Sequence, residues 1–437
     1  MAGSVDPFTA HDPLGGRSGG SSPARSCDVA VVGAGAAGLA TAIFAGRANA
    51  SLSLVVADGA PRPGAKILVS GGSRCNVTNR IVTERDFRGG RPAIVRRVLR
   101  AFPAARAAEF FRNLGVPLHE EADGKLFPDS NRSRDVLDAL LREAARLGVA
   151  IVTDHRVTDV RREGGRFIVA SNRGDISARR VVLATGGQSL PKSGSDGFGF
   201  ELARRLGHRI VEPTPALAPL LLHDEEPLHR RLSGVSQDVE VAVWVDGAIA
   251  TRVRGAMLWT HFGVSGPAAL NASRHWACAR VEGRTVRVTL SFAPGRTFDE
   301  VEAEWTRAAG DHPRTTLETE LSRRLPASAA RALLQTLSID GSIALPHVTR
   351  EDRRRLIHAL TAYPLPVTDT RGYTFAEATA GGVALDEVDP ATLESRRCPG
   401  LHLVGEILDV DGRLGGFNFQ WAWSSGFVAG AALARLC

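Results

Sequence analysis

The sequence predicts an α/β protein built around a Rossmann-type nucleotide-binding domain. Three observations predict this fold class. A glycine-rich turn joins a predicted strand to a predicted helix at residues 28–48, two further apolar strands at residues 178–187 and 401–412 lead into glycines, and the chain between these strands is β-rich and then helical. The length of 437 residues allows two or three domains.

Composition and cysteine usage exclude several classes of protein. Hydrophobic residues make up 43% of the chain and charged residues 23%, as in soluble globular proteins. The N-terminus is rich in Gly, Ser and Pro and lacks the pattern of a signal peptide, so we predict a disordered leader at residues 1–25. The five cysteines form no CxxC pair, which predicts a cytoplasmic protein without a disulfide framework and without a zinc or other metal site.

Two further features of the composition need care. The apolar run from Val29 to Gly46 approaches the length of a membrane span, but its glycines at fixed offsets favour a nucleotide-binding turn, and we predict no membrane segment. The net charge of +7 suits a polyanionic partner. However, only three of the 54 basic residues are lysine, a ratio typical of genome-wide codon bias. The charge therefore fits RNA binding and codon usage equally well.

The first element of the nucleotide-binding unit is the stretch "DVAVVGAGAAGLATAIFAGR". A β-rich run ending at Val32 turns through Gly33, Gly35 and Gly38 into a helix that reaches about Ala48. The first glycine makes a tight turn, the second lets a pyrophosphate approach the backbone, and the third packs the helix against the strand. A second strand ends at Asp58, twenty positions after Gly38, where a carboxylate can bind two ribose hydroxyls.

The next elements favour FAD over NAD. The strand "ARRVVLATGG" ends at Thr185 and Gly186, and "LHLVGEILDVDG" contains Glu406. Gly415 and Gly416 then open a predicted helix, "FNFQWAWSSGFVAGAALARL". A helix N-terminus stabilises the negative charge that a reduced flavin ring carries near N1 and O2, and an NAD site does not need this C-terminal element.

Several motifs resemble the BaiN/RdsA-like flavoproteins, a bacterial family of FAD-dependent oxidoreductases often labelled aminoacetone-oxidase-like. They include "GAGAAGLA", "GAKILVSGGSRCNVTN", "LATGGQSLPKSGSDG", "THFGVSGPAAL", "TAGGVALDEV" and "VGEILDVDGRLGGFNFQWAWSSG", and the likeness runs from about residue 27 to 435. Three departures indicate a distant subfamily: Ser73 stands where the family usually has glycine, Phe417 where it has tyrosine, and Asp58 where it has glutamate.

The resemblance implies a glutathione-reductase-type FAD domain interrupted by a β-barrel-like domain that carries a helical subdomain. The residues agree, because "VEVAVWVDGAIATRV" is β-rich with an Asp-Gly turn and residues 298–362 contain amphipathic helical patterns. We therefore expect the FAD domain over residues 26–211, the inserted β-rich domain over 212–297, the helical subdomain over 298–362, and a return to the β-rich and FAD domains over 363–437.

The same resemblance places "GGSRCNVTN" beside the pyrophosphate and the flavin ring. Lys66 and Arg74 are then expected to neutralise phosphate charge, and Asn76 and Thr78 to form hydrogen bonds with phosphate or ring atoms. The predicted cofactor-binding residues are Gly33, Gly35, Ala36, Ala37, Gly38, Asp58, Lys66, Arg74, Asn76, Thr78, Thr185, Gly186, Gly405, Glu406, Asp409, Gly415, Gly416, Phe417 and Asn418.

Two residues are candidate catalytic acids. Cys75 is a candidate proton donor, a candidate half of a redox pair, or a buried residue that packs and shapes the FAD site. His261, in "THFGVSGP", is either a second acid or a polar residue before a glycine-rich turn and a helix that starts at Pro267. The sequence leaves these alternatives open.

The resemblance implies reduction of a C=C bond by hydride transfer from reduced flavin. Some family members are linked to dihydrouridine formation in 23S ribosomal RNA, so we expect 23S rRNA or a pre-ribosomal particle as partner. The candidate phosphate contacts are two arginine runs, each of which is otherwise a solvated helix face: Arg91, Arg96, Arg97 and Arg100, and Arg353 to Arg355. The alternatives are a flavin reductase or oxidase of a small molecule (an enone, a steroid or an aminoketone) and a non-catalytic redox sensor. Because the sequence has no second GxGxxG, NADH or NADPH is expected to bind only transiently.

Overall fold

The computed structural model describes residues 25–223 and 227–435, and the structural statements below concern these residues. The predicted leader at residues 1–25 lies outside the described residues apart from Arg25, which begins the first strand. Within the described ranges, no helix combines the length and the hydrophobicity that a membrane crossing requires.

The first part of the chain alternates strands and helices. Its elements are β1 (Arg25–Val32), α1 (Ala36–Ala48), β2 (Leu54–Ala57), α2 (Ala65–Ser73), β3 (Thr78–Asn79), β4 (Phe87–Gly89), α3 (Pro92–Ala101), α4 (Ala104–Asn113), β5 (Leu118–Glu120), β6 (Lys125–Pro128), α5 (Ser133–Arg146), β7 (Ala150–Val152), β8 (Val157–Glu163), β9 (Arg166–Ser171), β10 (Ile176–Leu183), α6 (Phe198–Arg205) and β11 (Ile210–Ala216).

The middle of the chain is β-rich and then helical, as predicted. Its elements are β12 (Leu220–Leu222), α7 (Pro227–Arg231), β13 (Ser236–Val245), β14 (Ala248–Thr260), β15 (Gly263–Ser265), α8 (Gly266–Val281), β16 (Val286–Ser291), α9 (Phe298–Asp311), α10 (Leu317–Ser322), α11 (Ala327–Thr336), α12 (Arg350–Ala362), β17 (Tyr363–Leu365) and β18 (Val367–Thr370). The last part contains β19 (Ala378–Val383), β20 (Leu401–Leu403), β21 (Val410–Gly412) and α13 (Phe417–Leu433).

A parallel sheet with the order β7-β2-β1-β10 forms the centre of the Rossmann domain. β10 changes partner along its length: residues 181–183 pair in parallel with β20, and residues 176–178 pair antiparallel with β9. Because β2, β1, β10 and β20 are parallel, their carboxyl ends lie at one edge of the sheet. This topology confirms the predicted α/β fold class.

The middle segment forms a seven-stranded antiparallel sheet with the order β17-β16-β13-β14-β15-β12-β18. Its two edge strands, β17 and β18, are joined by Pro366 alone. Because the edges are one residue apart in sequence, the sheet has to curl until they meet, which explains the barrel-like form. In the β13–β14 hairpin, Asp246 and Gly247 have φ of 50° and 84°, the positive values that a two-residue type I′ turn requires.

Two large groups of buried hydrophobic residues follow this division. One joins the parallel sheet to α1, α5 and α13, and the other joins the antiparallel sheet to α8 and to helices α9–α12. The helical subdomain therefore shares its core with the β-rich domain. The domain boundaries at residues 211, 297 and 362 stay predictions, and β11, which spans the first of them, pairs with β19.

Candidate active site

A cleft of about 730 Å³ opens at the carboxyl ends of the parallel strands. Gly33 follows β1, Asp58 follows β2 and Thr185 follows β10, so three distant segments reach the same edge of the sheet. Glu406 reaches the cleft from the turn after β20. Open α/β sheets bind their ligands at this edge, and the volume lies within the range of small-molecule and cofactor sites.

Each glycine of the first turn has its own structural reason. Gly33 has a φ of +107°, and a Cβ there would lie 2.4 Å from the carbonyl oxygen of Ala184. A Cβ on Gly38 would lie 1.9 Å from the carbonyl oxygen of Gly33, so the third glycine permits close packing of α1. A Cβ on Gly35 would meet no protein atom within 4 Å. Gly35 therefore leaves open space beside the N-terminus of α1, where N–H groups lack helical partners and attract anions.

Asp58 is fixed at the end of β2 by two backbone groups. The N–H of Ala34 donates to Oδ2 at 2.6 Å, and the N–H of Ala60 donates to Oδ1 at 2.8 Å. Burial raises the pKa of Asp58, and these two hydrogen bonds oppose the rise. Each carboxylate oxygen can accept a second hydrogen bond, so the side chain remains able to bind ribose hydroxyls.

Lys66 belongs to a network around Glu406. Its Nζ lies 2.6 Å from Oε2 of Glu406 and 2.6 Å from Oγ of Ser189. The other carboxylate oxygen of Glu406 accepts from Oγ of Ser189 at 2.9 Å and from the N–H of Thr379 at 2.8 Å. The ammonium of Lys66 therefore has a defined anionic partner in Glu406, and its role as a countercharge for phosphate stays a prediction.

Arg74 also has a different partner from the expected one. Its Nη1 donates to Oε1 of Glu121 at 2.6 Å, and its guanidinium lies 4.1 Å from the centre of the Phe127 ring. These contacts hold the side chain at the wall of the cleft, paired with a carboxylate rather than free for a phosphate group.

The C-terminal glycines form the opposite wall. Gly416 has a φ of +89°, and a Cβ there would lie 2.5 Å from the carbonyl oxygen of Thr78. The amide of Asn76 lies 3.0 Å from the N–H of Gly416 and 2.8 Å from the carbonyl oxygen of Thr78, so its oxygen accepts from the former and its nitrogen donates to the latter. Asn418 closes the preceding turn, because its Oδ1 accepts from the N–H of Gly412 at 2.7 Å. The backbone at the start of α13 is thus fixed beside the cleft.

Fourteen of the predicted residues line this one cleft. They are Gly33, Gly35, Ala36, Ala37, Asp58, Lys66, Arg74, Asn76, Thr185, Gly186, Glu406, Gly415, Gly416 and Asn418.

The other predicted cofactor residues lie behind the wall of the cleft. Gly38 and Gly405 allow close packing rather than ligand contact, since a Cβ on Gly405 would lie 2.6 Å from the Cβ of Ala37. Thr78 is buried and donates from Oγ1 to Oε1 of Gln420 at 2.6 Å, so its hydroxyl is not directed at the cleft.

Asp409 and Phe417 are also structural. Oδ2 of Asp409 accepts from the N–H of Gly90 at 3.3 Å, which holds the turn after β4. Phe417 is fully buried and packs against the ring of Phe87 and the guanidinium of Arg413. Asp409 and Phe417 are therefore not among the residues that line the cleft, and their contact with the cofactor stays a prediction.

The structure does not bring the two predicted acids into the cleft. Cys75 is fully buried outside the cleft lining, and burial raises the pKa of its thiol to about 12. His261 is exposed on the turn between β14 and β15, also outside the cleft lining, where its ring contacts the ring of Phe262. The helix predicted to start at Pro267 is α8, which begins one residue earlier.

Sequence reasoning missed the segment before β19. Thr374, Phe375, Ala376 and Glu377 all line the cleft. The available signal is the neighbouring "TAGGVALDEV" motif, which begins two residues after this segment.

The residues fit the cofactor that the sequence predicts. Oγ1 of Thr185 is buried at the cleft without a hydrogen-bond partner among the described residues, and so is Oγ of Ser195. Buried polar atoms normally have partners, so these two hydroxyls indicate a polar ligand. Open space at Gly35, a fixed carboxylate at Asp58 and two orphaned hydroxyls suit the phosphates, ribose and ribityl chain of FAD.

Comparison with known proteins gives consistent matches over nearly the whole chain. Residues 27–432 match the family described as "HI0933-like protein Rossmann domain". The chain is 33% identical over 407 residues to the 3-dehydro-bile acid delta(4,6)-reductase of Clostridium scindens, covering 93% of this chain and 99% of that protein. It is 32% identical over 401 residues to the ribosomal RNA dihydrouridine synthase of Escherichia coli (92% and 96% covered) and 30% identical over 409 residues to that of Haemophilus influenzae (93% and 98% covered).

Proposed function

The chain belongs to the HI0933-like family and is an FAD-dependent oxidoreductase, and from this premise we propose that it reduces a C=C bond conjugated to a carbonyl group, with a uridine of 23S ribosomal RNA as the leading substrate. The family match also confirms the resemblance drawn from the motifs. The name of each relative describes a reductive enzyme, which speaks against the alternative of a non-catalytic redox sensor.

One observation carries the proposed reaction: relatives matched from end to end share one type of chemistry. A delta(4,6)-reductase removes ring double bonds, and a dihydrouridine synthase forms uridine whose C5=C6 bond is saturated. In both cases two hydrogens are added across a C=C bond. The shared step is therefore a better-supported assignment than either substrate.

In this proposal the chain supplies the binding and orientation of FAD. The bound cofactor supplies hydride transfer. Gly35 and the first turn of α1 receive the pyrophosphate, and Asp58 accepts hydrogen bonds from ribose hydroxyls. The unpartnered hydroxyl of Thr185 would hold a polar group of the cofactor, and the N-terminus of α13 would stabilise negative charge on it.

A ribosomal RNA substrate is supported by two relatives with that name and by unpaired arginines at α3. A target base has to leave its stack to enter the cleft, while cationic side chains hold the phosphates outside. Arg91, Arg97 and Arg100 are exposed and form no ion pair within the described part of the chain, whereas Arg96 pairs with Glu84 at 2.7 Å. The first three are the proposed phosphate contacts.

A small conjugated ketone, such as a steroid or bile acid, is the second candidate. Its support is the bile acid reductase relative together with apolar side chains that line the cleft, namely Leu190, Leu217, Phe375 and Leu414. For either substrate we propose NADH or NADPH as a transient reductant, since the sequence has no second dinucleotide turn.

The cofactor assignment is tested at Gly35. Because a Cβ there meets no protein atom, Gly35→Val apoprotein should remain folded, with a loss of no more than about 1 kcal/mol for the poorer N-cap of α1. FAD at a hundredfold excess over its Kd should stabilise the wild type by about 2.7 kcal/mol and the variant far less. Differential scanning fluorimetry with and without FAD measures both, and an equal shift in the two proteins would contradict the assignment.

The substrate is tested with 23S rRNA from an Escherichia coli strain lacking its own ribosomal RNA dihydrouridine synthase. Purified protein with NADPH should form dihydrouridine, detected by nucleoside mass spectrometry, and the same protein is assayed with a 3-oxo-4,6-diene bile acid. Dihydrouridine formation supports the leading substrate. Reduction of the bile acid alone replaces it by the second candidate, and reduction of neither refutes both.

A further inference from the structure

Reduction of a conjugated C=C bond needs a proton donor as well as a hydride. Hydride adds to one carbon, and the carbon next to the carbonyl group must receive a proton. Cys75 and His261 lie outside the cleft lining, so neither predicted acid is placed to supply it. The donor has to be sought among titratable groups that line the cleft.

Glu377 is such a group. It precedes β19, and its side chain is open to the cleft. Its backbone is fixed on both sides, because its N–H donates to the carbonyl oxygen of Leu217 at 3.3 Å and its own carbonyl oxygen accepts from Oγ of Ser189 at 3.5 Å. The same hydroxyl of Ser189 contacts Glu406. Glu377 thus stands beside the Lys66–Glu406 network.

The carboxyl of Glu377 differs from the other acids of the cleft in having no partner. Within residues 25–223 and 227–435 it forms no ion pair and no side-chain hydrogen bond, whereas Glu121 pairs with Arg74 and Glu406 pairs with Lys66. An acid without a cation or a donor at its oxygens loses little by holding a proton. Although the side chain is exposed within the cleft, the protein around the cleft partly desolvates it, and this raises the pKa of Glu377 above its usual value.

The other charged and titratable groups of this part of the cleft have to be distinguished from Glu377 in a pH titration. Lys66 on α2, Glu406 after β20 and Arg413 before α13 share the cleft lining with Glu377, and Arg371 and Tyr373 belong to its own segment. Lys66 and Glu406 are paired with each other, and burial raises the pKa of Tyr373 to about 12.

We propose that Glu377 is the proton donor of the C=C reduction. The assignment rests on the proposed function. As hydride from the reduced cofactor forms a C–H bond at one carbon, the C=C π electrons pass to the other carbon and take the proton from the Glu377 carboxyl. The substrate is reduced by two electrons, the cofactor is oxidised by two, and the carboxylate that remains is reprotonated from solvent.

The test separates the two half-reactions of the FAD-loaded protein. Wild type, Glu377→Gln and Glu377→Asp are reduced anaerobically with dithionite and mixed with unmodified 23S rRNA or with a 3-oxo-4,6-diene bile acid, and cofactor reoxidation is followed by stopped-flow absorbance. Glu377→Gln should reoxidise about 10²–10⁴-fold more slowly, the usual contribution of a general acid. Its reduction by NADPH should be unchanged, and Glu377→Asp should recover part of the rate. Glu351→Gln, the same change on the exposed surface of α12, should match wild type.

A second readout needs no substrate. The infrared carboxylic-acid band of Glu377, identified by its loss in Glu377→Gln, should persist above the ordinary glutamate pKa of 4.5. A band that disappears at or below that pH overturns the donor role. Equal reoxidation of wild type and Glu377→Gln by an acceptor also overturns it and leaves the proposed function standing. Reoxidation of the wild type by neither acceptor refutes the proposed function itself and the donor role with it.

Discussion

Cys75 occupies a position that limits what its thiol can do. It is fully buried, its φ is +61°, and its N–H donates to the carbonyl oxygen of Ser70 at 3.0 Å. Burial raises the pKa of the thiol to about 12, so the neutral form is favoured at physiological pH. These features favour the packing role among the three that the sequence leaves open.

We therefore predict that Cys75→Ala keeps wild-type turnover. The variant should lose about 1 kcal/mol of stability, because a small buried group is removed from a packed site. Steady-state kinetics and urea unfolding measure the two effects. A large fall in turnover at unchanged FAD content would reinstate the acid role.

The backbone of the site could be predicted from the sequence better than its side chains. Gly33, Gly35 and Gly38 lie within six residues of one another in a strand–turn–helix pattern, so they are readable locally, although the atom that a Cβ on Gly33 would meet belongs to distant Ala184. Thr78 and Asp409 sit in equally specific motifs, yet partners far away in the chain turn their polar atoms away from the cleft. No local pattern reports which of two neighbours a side chain faces after folding.

The backbone conformation at position 73 explains why glycine is usual there and what serine costs in its place. Ser73 has a φ of +66°, in the left-handed region where glycine is the least strained residue. The usual family glycine is therefore explained by backbone geometry, and serine here carries a strain of about 1 kcal/mol.

At the scale of elements, helices α1 and α13 show what a sequence pattern leaves out. Both helices are apolar on nearly all sides. The sequence predicts each of them as a helix, but it does not predict that they pack against each other. A Cβ on Gly426 would lie 2.8 Å from the Cβ of Ala40, and one on Gly430 would lie 2.8 Å from the carbonyl oxygen of Thr41. The glycines let the two backbones approach, which positions the N-termini of both helices at the cleft.

Two glycine-to-alanine substitutions should therefore change the free energy of unfolding in opposite directions. Gly430→Ala should destabilise the protein by about 1–3 kcal/mol, because the added methyl overpacks the α1–α13 contact. Gly310→Ala, in the exposed last turn of α9 where a Cβ meets no atom within 4 Å, should stabilise it by up to about 1 kcal/mol. Urea unfolding of both variants checks the signs, and equal effects would contradict the close packing of α1 against α13.

Helix α8 carries a histidine, His275, whose protonation should affect stability where the helix meets the Rossmann domain. Nδ1 of His275 contacts the guanidinium of Arg88, which can only donate, so the ring nitrogen must be unprotonated. Burial, and then the charges of Arg88 and Arg274, lower the pKa of His275 from 6.5 to about 3. Below pH 6.5 the unfolded chain therefore binds a proton that the folded chain does not, and stability falls as the pH is lowered.

As the pH is lowered from 6.5 to 5, we expect the protein to lose up to about 2 kcal/mol of stability because of His275. The loss is about 1.4 kcal/mol for each pH unit. His275→Gln keeps an acceptor for Arg88 but cannot be protonated, so it should lack this contribution. Burial also lowers the pKa of His155, His208 and His402, so the informative quantity is the difference between wild type and variant. Parallel stability curves from pH 7.5 to 5 would count against the contact.

At the scale of the whole molecule, a buried ion pair connects the inserted domain to the Rossmann domain. Its arginine lies on α8, the helix that also carries His275. Nη1 of Arg274 on α8 lies 3.2 Å from Oδ2 of Asp411 on β21, and the two side chains are 6% and 2% exposed. The guanidinium also donates to the carbonyl oxygens of Asp411 and Asp86. Because Val410 and Arg413 beside this pair line the cleft, the ion pair joins the domain contact to the geometry of the active site.

The sequence could not predict this contact, because Arg274 and Asp411 are separated by the helical subdomain and lie in no common motif. Neither residue stands out by type in so arginine-rich a chain. Their significance follows only from shared burial, since a charge removed from water is stable only beside its partner.

Removing one partner should therefore be far more harmful than removing both. Arg274→Met should cost about 3–5 kcal/mol, because it leaves the carboxylate of Asp411 buried and unpaired. Arg274→Met combined with Asp411→Asn should recover much of that loss, since no buried charge remains. Arg204→Met breaks the exposed pair with Glu201 at 2.8 Å and should cost less than about 1 kcal/mol. Urea unfolding of the apoproteins gives these values, and FAD titration at low temperature should show weaker binding in Arg274→Met than in the double variant. If Arg274→Met behaves like Arg204→Met in both measurements, the pair does not hold the two domains together.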